Sequence, residues 1–223
     1  MQHIPVVTFF AIFASLYLLI SLFFLNMHHP VKIAIFGSGN GTNAQQITEY
    51  FQQSDGSVVV DCILYNRRDA YIAQRAAHLG VESLYVPSSD FRQGDTVKRY
   101  LAQRGVDYVV LAGFLLLVPK AILDAYPNHI VNIHPALLPK YGGKGMYGHH
   151  VHEAVVANHE TETGITIHVV DPHYDHGTTL FQARCRVEPD DTPDDVAAKI
   201  HLLEKEHFPR VIDEWIHSCE ANK

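Results

Sequence analysis

Three polar side chains in the second half of the sequence could carry out chemistry together. Asn132 and His134 stand two positions apart in the segment NIHPALLP, at the end of an apolar run. Because side chains alternate along a strand, both are expected on the same face. An amide and an imidazole can each donate a hydrogen bond to a developing oxyanion, which suits attack on an acyl or formyl carbon. A polar pair buried under the following loop is the other interpretation.

A carboxylate that could assist this pair lies in the later loop DPHYDHGT. Asp171 and Asp175 both fall here, after a predicted strand that contains His168. Either carboxylate could orient His134 or relay a proton from an attacking amine through water, and either could instead cap a turn. The residue types alone leave the choice between the two open.

A glycine-rich turn, GSGNGTN at residues 37–43, is the third feature with chemical meaning. It joins an apolar strand to a helix, so backbone N–H groups and the helix dipole would favour an anion such as phosphate. The spacing does not match the dinucleotide-binding fingerprint, because Thr42 stands where the third glycine is required. A tight turn needed only for packing would also explain these glycines.

The elements that must position these residues alternate between strand and helix from Val31 onward. Strands are predicted at residues 31–36, 57–65, 83–86 and 108–112. Helices are predicted at residues 43–53, 70–79 and 96–104, the first capped by Thr42 or Asn43. This alternation predicts an α/β fold, a doubly wound and mainly parallel Rossmann-like sheet with helices on both faces.

The second half of the chain is less regular and contains more loop. Strands are predicted at residues 130–133, 164–170 and 179–186. A long loop is expected at 135–148, a helix at 151–158, and a helical stretch at 193–216 that Pro209 interrupts. The catalytic domain is therefore expected to span residues 31–217.

Charge and composition narrow the range of partners. The 223-residue chain has a formal net charge of -7, and its basic residues are scattered, so a nucleic-acid partner is not expected and small-molecule substrates are. The cysteines have no CxxC spacing, which argues against a disulfide framework. His149, His150 and His152 do not have the spacing of a tetrahedral ligand set on one regular element, so no metal is expected.

The N-terminal segment, residues 1–26, is apolar and has two interpretations. No Lys, Arg, Asp or Glu precedes Lys32, and the run from Ile4 to Leu25 is long enough for a membrane-spanning helix that would anchor the domain facing the cytoplasm. Alternatively, the natural chain begins at Met27 and the stretch before it is an upstream extension. We prefer the second interpretation, because the first predicted strand begins only a few residues later, and we expect a cytoplasmic enzyme.

Four segments in order carry a family resemblance. They are GSGNGTN, LAGFLLLVP at 111–119, NIHPALLPKYGGKGMYG at 132–148 and GITIHVVDPHYDHG at 164–177. Together they resemble the phosphoribosylglycinamide formyltransferases, within the folate-dependent formyltransferase family. The resemblance extends from about Val31 to Trp215.

The resemblance implies a reaction and roles for the catalytic residues. It implies transfer of the formyl group of 10-formyltetrahydrofolate, the co-substrate, to the amine of 5'-phosphoribosylglycinamide in purine biosynthesis. Asn132 and His134 would polarise the formyl oxygen, and Asp175 would hold His134 and help to move the proton. His168 would have a supporting role, and Asp171 would be a bystander.

The resemblance also implies two binding regions. Gly41, Thr42 and Asn43 would bind the substrate phosphate, and Glu204 would contact the glycinamide ribonucleotide. The folate would be contacted by Leu115, Leu116, Leu117, Val118 and Asn132. Arg92 is the candidate for an arginine that the family often has near the folate, although its register is ambiguous. For Leu116, plain core packing is an equal alternative.

Other functions are compatible with parts of this pattern. A formyltetrahydrofolate hydrolase would be expected to carry an N-terminal regulatory domain, and a transferase acting on initiator tRNA a basic C-terminal domain. A membrane-tethered module that binds a phosphate ligand without catalysis would need only the glycine-rich turn. The combination of Asn132, His134 and Asp175 favours an enzyme, because binding alone does not require acid and base groups.

Overall fold

The structure, a computed structural model, describes residues 29–222. The predicted apolar segment at residues 1–26 therefore lies outside the described residues. Within the described part of the chain, no helix combines the length and apolar character needed to cross a membrane.

One seven-stranded sheet runs through the described chain in the order β3-β2-β1-β4-β5-β6-β7. Its strands are β1 (Val31–Gly37), β2 (Val58–Tyr65), β3 (Glu82–Tyr85), β4 (Tyr108–Leu111), β5 (Ile130–His134), β6 (Glu162–Val169) and β7 (Thr179–Arg186). The first five strands pair in parallel, whereas β6 pairs antiparallel with β5 and β7 antiparallel with β6. The predicted mainly parallel sheet is confirmed.

Helices cover both faces of this sheet. They are α1 (Thr42–Gln52), α2 (Ile72–His78), α3 (Ser88–Gln93), α4 (Asp95–Arg104), α5 (Lys120–Leu123), α6 (His149–Ala157) and α7 (Pro193–Ala221). Alternate residues of β1 enter opposite cores: Ile33 and Ile35 join the core under α1, α2, α6 and α7, while Ala34 and Phe36 join the core under α3, α4 and α5. The period-two alternation of a strand thus builds two hydrophobic layers.

The strand order creates a crevice at the carboxyl ends of β1 and β4. The chain leaves β1 toward the face covered by α1 and leaves β4 toward the face covered by α5, so the two connections diverge. Neighbouring strands whose connections diverge in this way form the usual ligand site of open α/β sheets. The side chains predicted to do chemistry follow strands at this edge.

Two local predictions are wrong. Neither Thr42 nor Asn43 caps α1; Gly41 is the N-cap residue at φ 80°, and no side chain caps the helix. Pro209 does not interrupt the last helix, which is continuous from Pro193 to Ala221. α7 buries Phe208, Ile212 and other side chains against the sheet. The free energy gained by this burial exceeds the cost of about 3 kcal/mol for a proline inside a helix.

Candidate active site

A cavity of about 610 Å³ opens at the carboxyl ends of β1, β4 and β5. Three stretches of chain supply most of its wall: the glycine-rich turn, the segment after β4, and the loop from Gly143 to Gly148. The volume lies in the range of ligand-binding pockets. Every residue predicted to act on substrate lines it except Arg92.

The glycine-rich turn is required for packing and also offers free donors. A Cβ added to Gly41 would come within 2.6 Å of the Ile72 side chain and 2.9 Å of the Ile72 Cα, and its φ is 80°, so this position requires glycine; a Cβ on Gly37 would come within 2.5 Å of the Ile72 Cδ1. The Ser38 hydroxyl accepts a hydrogen bond from the Leu115 N–H at 3.0 Å, which joins this turn to the segment after β4. No side chain caps α1, and its first residues line the cavity, so the first N–H groups of this helix are candidate donors to a bound anion.

The predicted catalytic residues meet at the base of the cavity. The His134 Nδ1 lies 3.4 Å from the Asp175 Oδ1, and the His134 Nε2 lies 2.7 Å from the carbonyl oxygen of Tyr141. Both ring nitrogens therefore face acceptors. His134 is only 3% exposed, so hydrogen bonds made by this ring act in a poorly solvated site.

His168 orients the amide of Asn132. The register of β5 and β6 places the two residues opposite each other, and the Asn132 Nδ2 lies 3.1 Å from the His168 Nε2. Burial lowers the pKa of His168, which favours the neutral ring. Its Nδ1 lies 3.2 Å from the carbonyl oxygen of Val169 and donates to it, so Nε2 accepts from the amide. One N–H of the amide is thereby directed to His168, and the second remains for a ligand.

Asp175 is held in an uncommon backbone conformation. Its φ is 54°, and its Oδ2 accepts a hydrogen bond from the Gly143 N–H at 2.8 Å. Burial opposes ionisation of this carboxyl, but the hydrogen bond and charge of His134, with the Gly143 N–H, hold the pKa of Asp175 below its ordinary value. The carboxylate is therefore the stable form next to His134.

The rival carboxylate, Asp171, is occupied elsewhere. Its oxygens accept from the His173 backbone N–H at 2.7 Å and lie 2.8 Å from the His176 Nδ1. Asp171 does not line the cavity, whereas Asp175 does. The geometry therefore singles out Asp175 as the carboxylate that can act with His134.

Glu204 forms the opposite wall. It projects from α7, is 7% exposed, and its Oε2 accepts from the Asn43 Nδ2 at 3.1 Å. The same oxygen lies 3.0 Å from the His201 Nδ1, and this hydrogen bond raises the pKa of His201. His152, which also lines the cavity, is buried, and burial lowers its pKa to about 4.

Sequence reasoning missed His201, His152, Arg67 and Lys144 as cavity residues. The only available signal for His201 was its position one helical turn before Glu204, which puts the two on one face of α7.

The leucines expected to contact folate divide into two groups. Leu115 and Leu117 are 38% and 41% exposed at the cavity, which fits contact with a ligand. Leu116 lines the cavity and also packs against the core, and this position is compatible with both interpretations. Val118 is buried in the same wall.

Arg92 lies outside the cavity. Its neighbour Phe91 is buried in the core, so the next side chain along α3 points to solvent. Arg67, two residues after the end of β2, lines the cavity instead. The expected folate contact of Arg92 therefore has no counterpart in this geometry.

The three histidines considered for a metal do not gather around one point. His152 is buried, whereas His149 and His150 are exposed and lie near the Glu153 carboxylate. Over residues 29–222, the group whose ligand atoms lie within 4.8 Å of one another is Asp171, His173 and His176.

A doubly wound sheet with acid, base and amide groups in a cavity at its strand ends defines an α/β enzyme that acts on small molecules. The sequence profile of the family described as formyl transferase matches residues 31–212. The chain belongs to this formyl transferase family.

Individual relatives are consistent with this membership. The chain is 41% identical over 189 residues to the chloroplastic phosphoribosylglycinamide formyltransferase of Arabidopsis thaliana, covering 81% of this chain and 63% of the plant protein. It is 31% identical to phosphoribosylglycinamide formyltransferase of Haemophilus influenzae, covering 81% and 85% of the two chains. The chain thus spans less than two thirds of the plant relative.

A solved structure shares the architecture. The crystal structure of phosphoribosylglycinamide formyltransferase from Streptococcus pneumoniae superposes with a TM-score of 0.74 at 35% identity, over 83% of this chain and 99% of the other. The predicted α/β formyltransferase fold is confirmed.

Proposed function

We propose that this chain transfers the formyl group of 10-formyltetrahydrofolate to the amine of 5'-phosphoribosylglycinamide. The products are the N-formyl ribonucleotide and tetrahydrofolate, in purine biosynthesis. The observation that carries the proposal is the contact of His134 with Asp175, beside Asn132, at the base of the cavity. Relatives in a plant and in a bacterium bear the name of this activity.

The proposed chemistry follows from these side chains. The amine nitrogen attacks the formyl carbon, and a carbon–nitrogen bond forms as the carbonyl oxygen takes on negative charge. The free N–H of Asn132 and the ring of His134, which is held by Asp175, stabilise that charge in a poorly solvated site. The bond from the formyl carbon to N10 of the folate then breaks. The proton lost by the amine reaches N10, with Asp175 as the group that accepts and returns it.

The two reactants would occupy different parts of the cavity. The phosphate would bind at Gly41, Thr42 and Asn43, where uncapped N–H groups begin α1. Glu204, whose carboxylate accepts a hydrogen bond from Asn43, would contact the ribonucleotide. The folate would lie against Leu115 and its neighbours in the segment after β4, near Asn132. The reaction as proposed uses no metal.

A formyl-transfer assay tests this proposal. Protein starting at Met27 is supplied with 10-formyltetrahydrofolate, and release of tetrahydrofolate is followed with and without glycinamide ribonucleotide. We expect release only when the amine is present. Release without the amine would indicate a hydrolase, and a folded protein that releases nothing would leave a binding module as the surviving explanation.

We further propose a cytoplasmic catalytic domain, residues 31–217, in a chain that begins at Met27. Mass spectrometry of peptides from the native host tests the start site. A peptide spanning residues 10–30 would contradict it and would favour a membrane anchor at residues 1–26. We propose small molecules as partners and no nucleic acid.

A further inference from the structure

The charges that line the cavity do not match the proposed reactants unless a basic side chain takes part. Asp175 and Glu204 place two carboxylates in the wall, and the chain as a whole has a net charge of -7. A phosphate monoester carries about -1.5 to -2 charges at neutral pH, and a folate adds carboxylates. Arg67 and Lys144 supply the arginine and lysine side chains of the lining. This reasoning rests on the proposed function.

Of these two cations, Lys144 lacks a carboxylate partner among the described residues. Arg67 lies 3.7 Å from Asp69. In the loop that contains Lys144, the neighbouring Lys140 is paired with Glu160 at 2.9 Å, away from the cavity. No ion pair within residues 29–222 includes Lys144. An exposed ammonium at the edge of a site that must receive anions is thus left for a ligand.

The backbone around Lys144 is built for approach to a ligand. Gly143 and Gly145 have φ values of 95° and 92°, conformations that side chains rarely adopt. A Cβ placed on either glycine would meet nothing within 4 Å, so packing does not explain why glycine stands there. The two glycines leave the loop open on both sides of the lysine.

The same loop also holds the carboxylate of the site. The Gly143 N–H donates to the Asp175 Oδ2 at 2.8 Å, and the Tyr141 carbonyl oxygen lies 2.7 Å from the His134 Nε2. Lys144 follows directly after the glycine that holds Asp175. An anion bound by Lys144 therefore restrains the residue next to the hydrogen bond that positions Asp175.

We propose that Lys144 is an anion-binding residue at the cavity edge, and that its anion keeps Gly143 in place against Asp175. The ligand is an oxyanion, supplied by the phosphate of the amine substrate or by the carboxylates of the folate. The binding energy of this oxyanion, which is remote from the reacting atoms, thereby helps to position Asp175, which acts in the transition state.

Calorimetric titration separates the two sources of the anion without requiring turnover. Glycinamide ribonucleotide and 5-formyltetrahydrofolate are each titrated into the unaltered protein, Lys144→Ala, Lys144→Arg and the matched control Lys140→Ala. We expect Lys144→Ala to weaken one of the two ligands by roughly tenfold or more, the scale of a hydrogen bond to a charged group. Lys144→Arg restores most of the affinity, and Lys140→Ala leaves it within about twofold.

The other outcomes of the titrations identify the source of the anion or overturn the proposal. A larger loss for the ribonucleotide assigns the phosphate, and a larger loss for the folate assigns the carboxylates. Affinities of Lys144→Ala within twofold of the unaltered protein for both ligands overturn the proposal. If the unaltered protein binds neither ligand, the proposed function fails, and titration with inorganic phosphate then tests the anion site separately. If inorganic phosphate binds the unaltered protein and Lys144→Ala with equal affinity, the proposed anion site at Lys144 is overturned.

Steady-state kinetics tests the coupling to Asp175. We expect Lys144→Ala to lower kcat as well as to raise one KM, because the loop that holds the carboxylate loses its anchor. A raised KM with unchanged kcat would support anion binding by Lys144 but would contradict the proposed effect of that anion on the position of Asp175.

Discussion

The amide of Asn132 donates to the Nε2 of His168 at 3.1 Å, across the antiparallel pair formed by β5 and β6. The acceptor is available because the opposite ring nitrogen donates to the Val169 carbonyl oxygen and because burial lowers the pKa of this histidine, which favours the neutral ring. His168 is thus a positioning residue that fixes which way the amide points.

Replacing His168 tests that assignment. His168→Leu removes the acceptor, and we expect kcat to fall roughly tenfold or more, toward the scale seen when one oxyanion donor is lost, with a smaller effect on KM. His168→Gln offers an amide oxygen in a similar place and should recover part of the activity. Equal kcat values for the two variants would mean that the hydrogen bond does not position Asn132.

Asp175→Asn tests the proton transfer. The substitution removes a carboxylate whose pKa is held down beside His134 and keeps its shape, so we expect binding to persist while kcat falls about 100-fold or more. Asp171→Asn is the matched control, since that carboxylate is paired with His176 outside the cavity. Unchanged kcat in Asp175→Asn would remove this residue from the mechanism.

The buried ring of His152 predicts a pH dependence of stability. Burial lowers its pKa to about 4, so the unfolded chain, with the ordinary value, binds the proton more readily. The neutral ring therefore costs the folded state nothing above about pH 6.5, and the free energy of unfolding decreases as the pH falls toward 4. Between pH 7 and pH 5 the decrease is about 2 kcal/mol. Urea unfolding at both pH values should show this loss, and His152→Gln should reduce it. His150→Gln, at an exposed position, should retain the full loss.

The positions of Arg92 and Arg67 predict different effects of their substitution on substrate binding. Because Arg92 points to solvent from α3, we expect Arg92→Ala to leave the KM for the folate within about twofold. Arg67→Ala removes a cation from the cavity wall and should raise the KM for one reactant. If the KM for the folate rises in Arg92→Ala and not in Arg67→Ala, the folate contact of Arg92 expected from the sequence would be supported.

Metal removal should have no effect on the reaction. Asn132, His134 and Asp175 together supply donors for the oxyanion and a group for proton transfer, so no Lewis acid is required. We expect full activity after exhaustive dialysis against a chelator. Lost activity that zinc restores would contradict the proposed chemistry.

Most strands could be predicted from the sequence, because β1 and β4 are short apolar runs bounded by turn residues and β6 and β7 alternate between apolar and polar residues. Gly80 and Gly105 directly follow the helices predicted at residues 70–79 and 96–104, and both have φ in the left-handed region that glycine favours at a helix end. Pro209 misled the prediction, because its cost is local while the burial of α7 is distributed over the whole helix.

The site was only partly accessible to sequence reasoning. Asn132 and His134 share a strand, so their common face follows from alternation. The choice between Asp171 and Asp175 depends on a positive φ and a hydrogen bond from a distant loop, which residue types do not reveal. Lys144 and His152 line the cavity only because a loop and a helix return to it in three dimensions.

The pairing of Asn132 with His168 makes the reaction sensitive to a single residue of strand displacement. If β6 slipped by one position against β5, Ile167 or Val169 would stand opposite the amide, and every side chain of β6 would change face. Circular dichroism reports the content of secondary structure and not the register of strands, so it would not identify such a slip. Activity recovered after refolding therefore requires that these two strands have found the correct register.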